Sequence, residues 1–219
     1  MYEETLKYPR RDPKRLGGDE VVVGIGLSPA ISVLEFWGWS ASDLLSNATR
    51  GRFAEFLVAK ALGISTAGVR DEWAIFDLQL PDGSGIEVKS AAYLQSWGHK
   101  ELSKIKFSVR RSRAWDATTN EMAAEAGRSA KAYVFALLKH QDKATVDPLN
   151  LDQWEFYVLP TWAIDERKRS QHSITLASLE AEAGPAESFG GLAGRVRAAL
   201  VSRTAPGSAV EESPPDASP

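Results

Sequence analysis

Apolar and polar positions along the chain follow two rhythms, and the switches between them mark out the elements. In "FDLQLPDGSGIEVKS", residues 76 to 90, Leu78, Leu80, Ile86 and Val88 recur at every second position within their runs. Asp77, Gln79, Glu87 and Lys89 occupy the positions between. That is the period of strands with one buried face, and the intervening "PDGSG" supplies turn residues. The pattern predicts a hairpin of "WAIFDLQL" and "IEVKSAAYL", with "KIKFSVR" as a third strand. "AYVFALL" and "WEFYVLP" are apolar almost throughout and predict strands buried on both faces. The helical period appears in "NATRGRFAEFLVAKALGIS", where Asn47 or Thr49 can cap and Gly63 can terminate. At about 100° per residue, Phe53, Leu57, Val58, Ala61 and Leu62 cover most of its circumference, which predicts a buried helix. "VVVGIG" reads as a short strand and "SVLEFWGWSASDLL" as a helix with an aromatic face. "TWAIDERKR", the region from Ser178 and "FGGLAGRVRAALVSR" read as further helices. This order predicts an α/β domain whose mixed central sheet carries helices on both faces.

The ends fall outside this pattern. Residues 1–20 mix arginine, lysine, acids, proline and a Gly-Gly pair and read as a flexible arm, whereas 204–219 is an acidic Pro/Ser-rich stretch expected to be disordered. The folded part is expected between 21 and 203. A chain of 219 residues with 43% hydrophobic residues can bury a sizeable core as one domain. It has no cysteine, which excludes disulfides and thiolate metal sites. No apolar run nears the roughly 18 residues of a membrane span, and the first residues lack a signal-peptide core, so the expectation is a cytoplasmic protein without a membrane partner.

The hairpin raises a chemical question, because charge within a sheet is costly unless it is paired, solvated or bound to a metal. A turn centred on Gly83 would set Leu80 against Ile86, Leu78 against Val88, Asp77 against Lys89 and Gln79 against Glu87. Every apolar residue then shares one face, and the four polar residues share the other. Opposed and diagonal neighbours lie about 5 to 8 Å apart. Asp77 and Glu87 can therefore reach a common point, as a hard dication completed by water requires.

An acid on one strand, Glu-x-Lys on the next and a glutamate on the preceding helix together resemble the PD-(D/E)XK nucleases, whose fold is restriction-endonuclease-like. Asp77 matches the first acid, Glu87 the second, Lys89 the lysine and Glu55 in "RGRFAEFLV" the helical glutamate. Phe76 stands where the family name has proline. The resemblance covers about residues 47–110. It implies a Mg²⁺ site, with Mn²⁺ as a substitute, at Asp77, Glu87 and the main-chain carbonyl of Val88. Glu55 would hold a second metal or a metal-bound water. Lys89 would orient the attacking water and stabilise charge on the transition state. The implied activity is DNA hydrolysis of the restriction or repair type, leaving a 5′-phosphate and a 3′-hydroxyl.

A formal net charge of −3 does not advertise a polyanion partner, so contact with DNA has to come from local clustering. From Lys89 to Trp115 seven cations face the single acid Glu101. Lys100, Lys104, Lys106, Arg110, Arg111 and Arg113, beside Trp97, His99 and Trp115, form a candidate phosphate-tracking surface. Arg50 and Arg52 could add contacts at a helix N-terminus. Cutting both strands would suit a homodimer or a larger complex. The competing readings are a non-cleaving nucleic-acid-binding module on the same fold, and a protein whose hairpin charges are structural, with Asp77 bridged to Lys89. Other chemistries lack their residues. "VVVGIGLSPA" has Pro29 where a dinucleotide-binding helix would continue, Ser84 lies in a turn, and His99, His140 and His172 have no ligand spacing.

Overall fold

The computed structural model describes residues 8, 10–26, 30–116 and 119–201. The expected tail at 204–219 lies outside them, as do most of the first nine residues and Pro29.

The core is built on two strands that the apolar runs foretold. β6 (Ala132–Leu138) is buried at every position, and β7 (Trp154–Pro160) pairs with it antiparallel over its whole length. β2 (Gly85–Ala92) lies parallel to β6, and the short β1 (Leu78–Gln79) pairs antiparallel with β2. The sheet is thus mixed, in the order β1-β2-β6-β7. Its two faces divide the apolar side chains by parity. On one, Ile86, Val88, Val134 and Phe156 pack against α2 (Asn47–Leu62) and α5 (Leu192–Val201). On the other, Tyr133, Phe135, Leu137 and Tyr157 meet α3 (Thr161–Glu166) and α4 (Leu176–Ala183). Covering both faces with helices yields the expected α/β architecture. Each fully buried large side chain contributes about 1.5–3 kcal/mol, so β6 and β7, with Phe135, Leu137, Leu138 and Phe156 fully enclosed, form the stable centre.

Several local expectations change. The segment "KIKFSVR" does not extend the hairpin. β3 (Lys106–Ser108) instead pairs with β8 (Ser173–Thr175) in a separate two-stranded ribbon, because Phe107 and Ile174 have the second face of the main sheet to cover. "VVVGIG" contributes an isolated bridge, Val21 to Ser32, rather than a strand. α2 begins after Ser46, not after Asn47 or Thr49, and Gly63 in the left-handed region ends it as expected. α1 (Val33–Ala41) starts with a capping box between Ser32 and Glu35, yet none of its residues is buried. Residues 10–20, read above as a flexible arm, carry two fastenings: Arg10 to Asp71 at 2.7 Å and Arg15 to the Thr66 carbonyl at 2.5 Å. A small hairpin joins β4 (Trp115–Asp116) to β5 (Glu121–Met122). Among the described residues no helix is long and apolar enough to cross a membrane.

Candidate active site

The hairpin register differs from the expected one by two residues, with Leu78 opposite Ile86 and Gln79 opposite Gly85. The cause is the turn. The Gly83 N–H donates to the Leu80 carbonyl at 2.9 Å with Gly83 at φ 82°, and Asp82 accepts from the Ser84 N–H at 2.8 Å, so the chain reverses one position earlier. A shift of two leaves every side chain on its own face, so the grouping of the acids survives while their partners change. Gly85 is required there, because a Cβ would overlap the Phe76 ring. The ring packs on that glycine and fixes the backbone just before Asp77.

β1 begins only at Leu78, so among the described residues the edge of β2 beyond Ile86 has no strand beside it. Asp77 fills that position: its Oδ2 accepts from the Val88 N–H at 2.7 Å. Lys89 donates to Glu87 at 2.5 Å, an i, i+2 pair on one face of β2, and not to Asp77 as the competing structural reading of the hairpin has it. Gln79 does not meet Glu87 and approaches the Gly83 carbonyl at 3.5 Å. From α2, Glu55 comes up to the same edge. It is gripped by Arg70 through Nε and, at 2.9 Å, through a terminal nitrogen, and Arg70 also stands 3.7 Å from Asp77. The four residues singled out in the sequence are therefore neighbours, with Arg70 as a fifth.

Their electrostatics reflect crowding. Burial is the main force raising the Glu55 carboxyl above its usual range, with Asp77 adding to it and Arg70 opposing. Glu87 is raised for the same first reason, then by Asp77 and Glu55, with Lys89 opposing. Tyr133, opposite Glu87 on β6, is pushed up to about 12 by burial and by the Glu87 charge. Three half-desolvated acids against two cations is an arrangement that a further positive charge would relieve. Oxygen donors of that kind fit a hard dication such as Mg²⁺. The N–H and C=O of one strand residue point to the same side, so the Val88 carbonyl faces the Asp77 edge and can join them. Among the described residues no three acidic or histidine side chains converge on a metal-sized point, since Glu55 is turned to Arg70 and Glu87 to Lys89.

The expected phosphate contacts separate into two kinds. Arg50, expected at the surface, is buried. It is 4% exposed and spends its guanidinium on the Leu45 carbonyl, Asn47 and Ser90, at 2.8, 2.7 and 3.2 Å, so it clamps α2 to β2 and is not available at the surface. Arg52 is exposed, 3.6 Å from Glu72. Lys104, Lys106 and Arg110 are exposed and alternate with buried Ile105, Phe107 and Val109, which gives the β3 segment a cationic outer face. Lys100, Arg111 and Arg113 are exposed as well, with Arg111 bridging to Asp165 at 2.8 Å. His99 is committed to the chain, with Nε2 accepting from the Gln95 N–H and Nδ1 donating to the Glu101 carbonyl. Arg70 escaped the sequence reading: it lies in an aperiodic loop, and nothing local ties it to a glutamate fifteen residues earlier. No known family model matches the chain, and no curated protein matches it.

Proposed function

We propose that this protein is a Mg²⁺-dependent nuclease that hydrolyses DNA phosphodiester bonds, built on a restriction-endonuclease-like core. The observation that carries the reading is the convergence of Glu55, Asp77, Glu87 and Lys89 at one unpaired sheet edge, from a helix and two strands, with burial raising two of the carboxyls. Carboxyls perturbed by burial and by specific charge partners mark a candidate functional site. Asp77, Glu87 and the Val88 carbonyl would hold the ion, and Glu55 a second ion or a water bound to it. A bound Mg²⁺ supplies Lewis acidity toward the phosphate and lowers the pKa of a coordinated water. The chain's own contribution is placement. The Val88 N–H fixes the Asp77 carboxylate, and the Phe76–Gly85 contact fixes its backbone. The Lys89 ammonium, on the same face as Glu87, can orient the attacking water and balance charge on the pentacovalent phosphorus. The exposed row Lys104, Lys106 and Arg110 is the natural place for a phosphate backbone.

A second reading has one observation in its favour. Arg70 and Lys89 already neutralise Glu55 and Glu87 internally, as they would in a non-cleaving nucleic-acid-binding module. Cleavage assays on plasmid, linear duplex, branched and single-stranded DNA with Mg²⁺ or Mn²⁺, run beside Asp77→Ala, separate the two. Cutting by the wild type and not by the variant supports the nuclease. DNA binding with no cutting on any substrate supports the module.

A further inference from the structure

Next to the carboxylates the surface carries a second feature, which the acids do not use. Trp73 and Trp115 meet edge to face, 5.1 Å between ring centroids at 71°, and Trp73 is 64% exposed. A cavity of about 1010 Å³ opens on one side of the pair, with Tyr8, Arg10, Arg11 and Arg70 along its walls, and another of about 550 Å³ continues past the tryptophans to Met122. Arg70 also borders a third cavity of about 710 Å³ that contains Glu55 and Asp77. One short loop, residues 69–73, therefore forms the wall between the aromatic groove and the acids. The loop is held in shape: Asp71 accepts from the Trp73 N–H at 3.0 Å and is paired with Arg10.

We propose that this groove binds the unpaired bases of a single-stranded nucleic acid and delivers the strand to the neighbouring acids. Both the choice of a nucleic acid as the occupant and its delivery for cleavage rest on the nuclease reading. A base can cover the free indole surface only if it is unpaired, because the faces of a duplex base are taken by its neighbours in the stack. Charge does not drive this groove. Arg10 and Arg70 are matched by Asp71 and Glu55, and Asp12, Asp71 and Glu72 line it beside the arginines. Stacking therefore carries the affinity, and the salt dependence is shallow for a nucleic-acid site. The two cavities, both lined by Trp73 and Trp115, leave room for successive bases beside the tryptophan pair. An acidic or aromatic peptide would find similar walls, but only a nucleic acid would link the groove to the cleavage centre proposed at the acids next door.

The test is equilibrium binding of the full chain in EDTA to a fluorescein-labelled oligothymidylate and to a duplex of equal length, followed also by tryptophan fluorescence. The expected result is tighter binding of the single strand with quenching, and a loss of roughly 5- to 150-fold in Trp73→Ala, the worth of one base–aromatic stack. Trp73→Phe should retain most of the affinity. Thermal melts of both variants show that the fold is intact. Equal affinity for single strand and duplex, or wild-type affinity in Trp73→Ala, overturns the proposal. Single-strand binding without cleavage in Mg²⁺ keeps the groove and removes the nuclease, whereas duplex cleavage without single-strand preference does the reverse.

Discussion

Replacing Arg70 by glutamine removes the cation that Glu55 and Asp77 share. At 3.7 Å and an effective dielectric of about 20, the Arg70–Asp77 attraction is about 4–5 kcal/mol before solvent is counted. Arg70 is 38% exposed, and ion pairs that open to water retain about 1 kcal/mol or less. The charge-assisted hydrogen bonds to Glu55, whose side chain is 12% exposed, add about 1.5–3 kcal/mol, part of which the glutamine amide recovers. The net loss is about 2 kcal/mol, and for a chain of this size that lowers Tm by roughly 4–8 °C in EDTA. The same change should strengthen divalent binding. In the wild type a metal held by Glu55 and Asp77 would have to displace the guanidinium, whereas in Arg70→Gln those two acids have lost that charged partner. If the whole of that roughly 2 kcal/mol is returned on binding, the Kd for Ca²⁺ falls about 30-fold. Isothermal titration with Ca²⁺, beside melts with and without the ion, measures both quantities. A destabilised variant with unchanged or weaker Ca²⁺ affinity would refute the idea that Arg70 occupies the place of a metal.

Two further substitutions probe how the site is held. Glu87 is raised in the folded protein, so the native state keeps its proton more tightly than the unfolded chain. Its ionisation therefore destabilises the fold, progressively as pH rises from the ordinary glutamate value of about 4.3 through the raised one, and fully above it. Glu87→Gln in EDTA should melt higher than wild type at pH 7.5, lose that advantage below about pH 4 and abolish cleavage. A lower Tm at pH 7.5 would contradict the assigned burial. Gly85→Ala forces a methyl into the Phe76 ring, an overpacking worth about 1–3 kcal/mol. It should cut activity by more than its modest effect on Tm implies, because the displaced ring carries Asp77 with it. Unaltered cleavage would show that Phe76 does not position the acid.

What could be read in the sequence depends on how local each cause is. β6 and β7 are seven-residue apolar runs whose burial needs no partner to be foreseen, and their bounds emerge as expected. The faces of the hairpin were legible because side-chain parity depends on the strand alone. Its register was not, since it is fixed by hydrogen bonds inside the Leu80–Gly83 turn. β3 was legible as a strand and illegible in its pairing, because β8 lies more than sixty residues downstream. The role of Arg50 is illegible for a similar reason: an arginine in a first helical turn looks the same whether it meets solvent or, as here, Ser90 on a strand forty residues away. The groove was half visible. Trp115 stood among the basic residues, but its partner Trp73 comes from a loop with no periodic signal.

The shortness of β1 links these findings. Were β1 to begin at Phe76, the Val88 N–H would be drawn into the ladder opposite it and the aspartate would face solvent as one more edge residue. Beginning the strand only at Leu78 leaves the N–H unclaimed by the ladder, and the Asp77 carboxylate becomes its partner. The site thus stands at the thin edge of the sheet, two strands from β7 and away from the packed layer in which β6 is buried at every position. The interactions that assemble the acids are then largely separate from those that hold the fold. Removing the Asp77 carboxylate deprives one backbone N–H of its acceptor at a position water can reach, which costs about 1–3 kcal/mol and leaves the core intact. A cleavage-dead Asp77→Ala protein is accordingly expected to remain folded, so that its failure to cut would report on chemistry and not on collapse.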